Sequence, residues 1–298
     1  MSLPLIHHPD YDAASVGDAH RFPMRKYTLV ADLLRGQGHT LIRPELASPE
    51  ALERVHSPDY VSRVLTSSLD RKEARKIGFE MTPAIARRAC AAVGGTLHAA
   101  KFAMAAGAAV NLAGGSHHAE ADSGAGFCVF NDVAVAAEIM LGVEGISRIL
   151  VIDLDVHQGD GTARIFAGRE EVFTLSVHCA DNWPIEKPPS DLDVGLPQGT
   201  PDAIYLTTLR QVLEQAFALA APDFVFYNAG VDPHIDDKLG KLALSDGGLA
   251  ARDRQVAEAC QARNVPVCGV LGGGYSKDPM AVAKRHLILV EAFDSLVD

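Results

Sequence analysis

Two apolar, β-branched runs in this chain end abruptly in charge: Ile149-Leu150-Val151-Ile152-Asp153-Leu154-Asp155-Val156-His157 and Val225-Phe226-Tyr227-Asn228-Ala229-Gly230-Val231-Asp232. A run that is apolar at nearly every position fits a strand buried on both faces, as in a parallel sheet covered by helices. Each run breaks into Asp and His where such a strand would emerge at its carboxyl end. Open α/β sheets bind their ligands at that edge. Ionisable groups seldom continue an apolar strand unless they are paired or hold a metal. Asp155, His157 and Asp232 together offer two carboxylates and one imidazole. That donor set suits a catalytic zinc with a position left open for water and substrate.

Strand and helix signals alternate along the whole chain. Strands are expected at Leu3–His7, Ala108–Leu112, Arg148–Asp153, Val172–Val177, Phe224–Asn228 and Pro266–Leu271. Between them lie helical patterns at Met24–Leu34, Asp132–Leu141, Pro201–Ala220, Asp246–Arg263 and Asp278–Phe293. Ser57-Pro58 and Thr82-Pro83 carry the cap-then-proline signature of a helix start. The second opens an alanine-rich helix running to about Ala106, with Gly107 as its stop. This alternation predicts an α/β fold: a single doubly wound, mostly parallel sheet with helices on both faces. Nothing reads as a linker or an internal repeat, so residues 1–298 are taken as one domain. The stretch from Cys179 to Thr200, with Pro184, Pro188, Pro189 and Pro197, reads as a loop on the rim of the site.

Composition narrows the function. With 48% hydrophobic residues a large core is available and disorder is not expected. A formal charge of −11 argues against a nucleic-acid footprint, while leaving a cationic peptide or amine open as substrate. Met1–Asp10 lacks a basic-then-apolar signal pattern. No apolar run approaches the about 20 residues of a membrane-spanning helix. Five scattered cysteines do not form a disulfide framework and place the protein in a reducing cytoplasm.

Other strand ends point to the same edge. Ala108–Leu112 runs into Gly114-Gly115-Ser116-His117-His118, and Pro266–Leu271 into Gly272-Gly273-Gly274-Tyr275. Val172–Val177 brings Ser176 and His178. Alone, a His-His pair is more often a surface turn, and a triple-glycine loop an ordinary bend. Gathered at different strand ends, they form a hydrolytic set of metal ligands, a basic pair and a hydrogen-bond donor.

These motifs, in this order, resemble the zinc-dependent histone deacetylase superfamily, which shares the arginase-like fold. Val143-Glu144-Gly145-Ile146-Ser147-Arg148 and Asp237-Lys238-Leu239-Gly240 are similar to its class IV branch and related bacterial deacetylases. The resemblance spans roughly His20 to the C-terminus. It implies zinc on Asp155, His157 and Asp232, and His118 as general base and then acid, steadied by Asp160. It makes His117, paired with Asp153, the electrostatic member of the dyad and Tyr275 the oxyanion donor. Phe127 and Gly126 would line an acyl-lysine tunnel, with Gly273 and Leu239 also contacting substrate. A structural potassium would use Asp153, Asp155, His157, Ser176 and Val177. The substrate implied is an acyl-lysine protein or an acyl-amine, handled by a monomer in preference to an oligomer.

Several residues stay open. Arg25 is placed either at the pocket floor or on a solvated helix face, Glu80 at the substrate backbone, and Trp183 as a tunnel wall. Leu239 stands where relatives specialised for acetylated polyamines carry glutamate, which argues against that specialisation. Cys128 reads as packing and Gly94-Gly95 as room for a neighbouring backbone. His7, His8, His20, His39, His56, His98, His178, His234 and His286 read mostly as surface or supporting residues. Two rival functions remain, a two-metal ureohydrolase of the same fold and a non-catalytic acyl-lysine binder.

Overall fold

In the computed structural model, which describes residues 2–13, 16–17 and 20–297, eight strands form one sheet. They are β1 (Leu5–Ile6), β2 (Leu41–Ile42), β3 (Ala108–Asn111), β4 (Ile149–Asp153), β5 (Val172–Cys179), β6 (Leu192–Leu196), β7 (Phe224–Asn228) and β8 (Val267–Val270). Every pairing is parallel and the order is β2-β1-β3-β8-β7-β4-β5-β6. The helices are α1 (Lys26–Gly36), α2 (Pro49–Leu52), α3 (Pro58–Leu65), α4 (Arg71–Ile77), α5 (Pro83–Ala106) and α6 (Asp132–Met140). They continue with α7 (Asp160–Ile165), α8 (Asp202–Ala220), α9 (Asp246–Gln261) and α10 (Pro279–Asp294).

The central strands are apolar throughout because both their faces are covered. Ile149, Val151, Phe224 and Phe226 pack with Ala99, Ala100 and Ala103 of α5 and with Val133, Ala136 and Ala137 of α6. Leu150, Ile152, Val225 and Tyr227 turn the opposite way, into the core shared with α8, α9 and α10. Burial of a large apolar side chain is worth about 1.5–3 kcal/mol, so these central strands anchor the fold. Alanines let α5 lie close to the sheet, and Gly94 sits directly against the Glu45 carbonyl, where a Cβ would collide. The Ser57 and Thr82 hydroxyls accept from the Tyr60 and Ile85 amides, as their cap signatures predict.

Five elements escaped the sequence pattern, among them the short helices α2 and α7. Two-residue β2 is too short to show a period. Edge strand β6 lies inside the stretch read as a rim loop; its partly exposed positions lack a continuous apolar run. Helix α4 is announced only by a capping box, Asp70 with Glu73. The scattered histidines differ more sharply from expectation, because His7, His8, His56, His178, His234 and His286 are buried. All five cysteines are buried and none forms a disulfide. No helix among the described residues is long and apolar enough to cross a membrane.

From β4 the chain proceeds to β5 on one side, whereas from β7 it proceeds to β8 on the other. Loops leaving adjacent strands in opposite directions open a crevice at their carboxyl ends. The loop after β4 carries Asp155 and His157, and the loop after β7 carries Asp232.

Buried neutral histidines make the fold sensitive to acid. His56 accepts the Asn131 amide on Nε2 at 3.0 Å, so its proton sits on Nδ1, 2.9 Å from the Glu120 carbonyl. Burial lowers His56 to about 4, and burial, then the Arg35 charge, lowers His7 to about 4. The unfolded chain takes up protons near the ordinary value of about 6.5, which the folded chain refuses until about pH 4. Stability should therefore fall steadily as pH drops from about 6.5 towards 4. Urea midpoints across that range check this; a flat profile would contradict it.

Candidate active site

The crevice gathers the charged strand ends. Asp153 ends β4, opposite Asn228 of β7 and Ser176 of β5. Just beyond it, His157 Nδ1 lies 3.0 Å from Asp155 Oδ1 and 3.2 Å from Asp232 Oδ2. These three buried residues are the one group of its kind among the described residues, their ligand atoms within 4.8 Å of one another. Backbone amides orient the carboxylates: Gly273 donates to Asp155 Oδ2 at 2.8 Å, and Val156 to Asp232 Oδ1 at 2.9 Å. Gly273 must be glycine, since a Cβ there would run into Asp232 Oδ2 and sit 2.6 Å from Asp155 Oδ2.

One observation tests whether a cation fits. Asp232 Oδ2 is buried and accepts no hydrogen bond. Burial, then the Asp155 charge, raises the Asp232 carboxyl. For Asp155 burial acts the same way but is outweighed by His117 and His157, which hold it well below the usual carboxylate range. An oxygen-and-nitrogen cluster with one orphaned carboxylate oxygen is a donor set that a divalent cation completes.

Two further histidines stand beside this cluster, each with Nδ1 on a carboxylate. His117 is 2.6 Å from Asp153 Oδ2, and His118 is 2.6 Å from Asp160 Oδ1. Asp153 is itself held by Asn228 Nδ2 at 3.0 Å and the Asp155 amide at 3.2 Å. The loop that bears the pair is fixed from beneath by buried Asp132, which accepts the Gly115 and Ser116 amides and the Thr96 hydroxyl. Despite the matching pairing, the two rings titrate in opposite directions. For His117, burial is outweighed by Asp153 and Asp155, raising it to about 9. For His118, burial and then the His117 charge outweigh Asp160, lowering it to about 4.

Tyr275 leaves the glycine loop with its amide on Asp237 Oδ2 at 2.6 Å and its ring against Phe22, Phe127 and His157. Burial, then Asp155 and Asp232, holds its phenol well above the ordinary value, so it stays a donor. A cavity of about 610 Å³ leads from the surface to His118, His157 and Tyr275. Gly126, Phe127, Leu239 and Trp183 form its walls. Phe127 and Trp183 supply two aromatic walls; the Trp183 ring centroid is 4.6 Å from that of His118. Gly126 and Phe127 hold positive φ values of 54° and 69°, the Phe127 amide donating to the Ile77 carbonyl at 2.6 Å. Ser176 and Val177 are buried on β5 beside Asp153, with the Ser176 hydroxyl 2.9 Å from His178 Nδ1. Cys128 is buried, and burial pushes its thiol well up, consistent with packing.

Two residues left open by sequence fall outside. Arg25 and Glu80 are exposed and line none of this cavity. The neighbouring cation Lys26 is fully buried behind the glycine loop, its Nζ 2.9 Å from the Gly272 carbonyl and 5.8 Å from the Tyr275 ring centroid. Burial lowers it to about 8 against the pull of Asp232. Of these two adjacent cations the packing of α1 turns only Lys26 inward and leaves Arg25 exposed, the solvated alternative left open for it.

The Histone deacetylase domain family matches residues 20–290. An uncharacterized protein of Picosynechococcus is 44% identical over 98% of both chains. Histone deacetylase 2 of Arabidopsis thaliana is 31% identical, covering 94% of this chain and 76% of its own. The acetoin utilization protein AcuC of Bacillus subtilis is 31% identical over 80% of this chain and 68% of its own. Among solved structures, an HDAC homolog from Aquifex aeolicus superposes with a TM-score of 0.84 at 26% identity, over 98% of this chain and 84% of that one.

Arg252 of α9 is the supporting residue that no motif announced. Its side chain is fully buried, with Nη1 2.5 Å from the Gly230 carbonyl and 3.3 Å from that of Leu154. Nε is 2.8 Å from Asp253 Oδ1, which also accepts the Tyr227 hydroxyl. One guanidinium thus ties together the backbone just before Asp155 and two residues before Asp232. The only sequence signal was charge inside a helix whose neighbours are buried. Arg252→Met should destabilise the protein by about 3–5 kcal/mol, because it strands a buried carboxylate and several carbonyls. Denaturant titration reads this; a loss under about 1 kcal/mol would show that the strand ends hold without it.

Proposed function

The chain belongs to the histone deacetylase family, and from that premise we propose that it is a zinc-dependent amidohydrolase. It removes acetyl or longer acyl groups from the ε-amine of lysine in proteins, or from related acyl-amines. The observation that carries the reading is the Asp155–His157–Asp232 cluster, with its orphaned carboxylate oxygen, at the inner end of an aromatic-walled cavity.

Asp155, His157 and Asp232 hold the zinc, which when bound polarises the amide carbonyl and acidifies water. Asp153, Ser176 and the backbone of Asp155, His157 and Val177 hold a structural potassium. An amide also needs a base for the attacking water and an acid for the departing amine. His118 is suited to both: its Nδ1–H donates to Asp160, which leaves Nε2 unprotonated for the cavity. His117, held protonated by Asp153 and Asp155, contributes positive charge beside the reacting centre. Tyr275 keeps its proton and donates to the developing oxyanion. Phe127, Gly126, Trp183 and Leu239 enclose the acyl-bearing chain, and Gly273 keeps the backbone close to both carboxylates.

Two variants test this. Asp155→Ala should lose both zinc retention, read by metal analysis of the purified protein, and hydrolysis of acyl-lysine peptides. Full zinc content in that variant would move the site elsewhere. Tyr275→Phe should lower kcat by about 10²-fold or more with little change in KM, as expected of a donor used only in the transition state. A sharp rise in KM at unchanged kcat would make Tyr275 a binding residue.

A further inference from the structure

The entrance of the cavity is cationic in a chain that is strongly anionic overall. Arg21, Arg75, Lys76 and Lys241 all line it, and no Asp or Glu does. The whole chain has 38 acidic residues against 27 basic ones, so composition predicts the opposite lining. All four cations are exposed and come from separate places: the loop before α1, the end of α4, and the loop after β7. Cations in the last turn of a helix are common, because they complement its dipole. That explains Arg75 and Lys76 as local features, but not the arrival of Arg21 and Lys241 beside them.

Much of this charge is not neutralised. Among the described residues neither Arg21 nor Arg75 has an ion-pair partner. Lys76 Nζ is 3.0 Å from the Ser123 hydroxyl and only 4.0 Å from Glu120 Oε1. Lys241 Nζ is on the Asp181 carbonyl at 2.7 Å, a neutral partner. Asp237, behind the same wall, is consumed by the Leu239, Gly240 and Tyr275 amides. Deeper down the walls turn aromatic and apolar, so the charge addresses what lies outside the tunnel, not the acyl chain within it.

We propose that this mouth selects acyl-lysines set in acidic peptide segments, with carboxylates on the residues flanking the modified lysine. The proposal rests on the deacylase reading of the tunnel and names its substrate class. Cations around a low-dielectric opening concentrate an anionic partner and orient it, and the effect weakens as salt rises. A basic segment, the other charged class a lysine-directed enzyme meets, would be repelled by the same four groups.

The test uses zinc-loaded protein and acetyl-lysine peptides of equal length flanked by Glu, Gln or Lys. Binding is read by fluorescence anisotropy, independently of turnover. The Glu-flanked peptide should bind about 10-fold or more tightly than the Lys-flanked one at low ionic strength, with the gap narrowing towards 0.5 M salt. Arg21→Glu combined with Arg75→Glu should abolish or invert the preference, with an unchanged melting temperature showing that the fold is intact. Equal affinities, tighter binding of the Lys-flanked peptide, or no binding of any peptide would overturn the proposal. Hydrolysis of the Gln-flanked peptide is the separate arm: its absence fells the deacylase reading, whereas its presence without a charge preference fells only this inference.

Discussion

Three carboxylates buried at one sheet edge set the terms for the rest of the molecule. Asp153, Asp155 and Asp232 are 4%, 1% and 0% exposed. Isolated carboxylates at that depth would cost more than the whole margin of a folded domain. Each is therefore compensated by groups brought from elsewhere in the chain. Asp153 has His117, Asn228 and a backbone amide; Asp155 has His157 and the Gly273 amide; Asp232 has the Val156 amide and His157. Asp232 Oδ2 has the His157 ring 3.2 Å away but accepts no hydrogen bond, and that shortfall sets the cluster apart from a closed salt-bridge network.

The same demand explains the supporting architecture. Amides aimed at carboxylates come from loops, and loops stay placed only when their own carbonyls are satisfied. Arg252 does this beneath the loops after β4 and β7, and Lys26 does it for Gly272. Asp132 performs the complementary task, accepting the amides of the loop that carries His117 and His118. Charge is thus balanced in layers, with anions at the centre and cations bound to carbonyls behind them.

Environment, not residue type, separates the two adjacent histidines. Both donate Nδ1 to an aspartate at 2.6 Å. His117 also faces the Asp155 charge, which outweighs its burial, whereas His118 faces the His117 charge and is driven the other way. Groups whose environments push them apart in this fashion are suited to divide acid and base work.

What sequence alone determined was whatever a local pattern encodes. Apolar runs identified β4, β7 and their neighbours, proline caps placed α3 and α5, and the charged strand ends located Asp155, His157 and Asp232. Those signals are local because strand burial and helix capping act on residues close in the chain. Elements without such a pattern were missed: two-residue β2, edge strand β6, and the short helices α2, α4 and α7. Tertiary structure alone decided that Lys26 and not Arg25 is buried, that Trp183 stands as a second aromatic wall, and that Arg252 reaches Leu154 across 98 residues. It also decided that Arg21, Arg75, Lys76 and Lys241 meet at one opening. The reason is physical: the energy of a buried charge depends on every group packed around it, and those groups become neighbours only when the sheet brings distant segments to one edge.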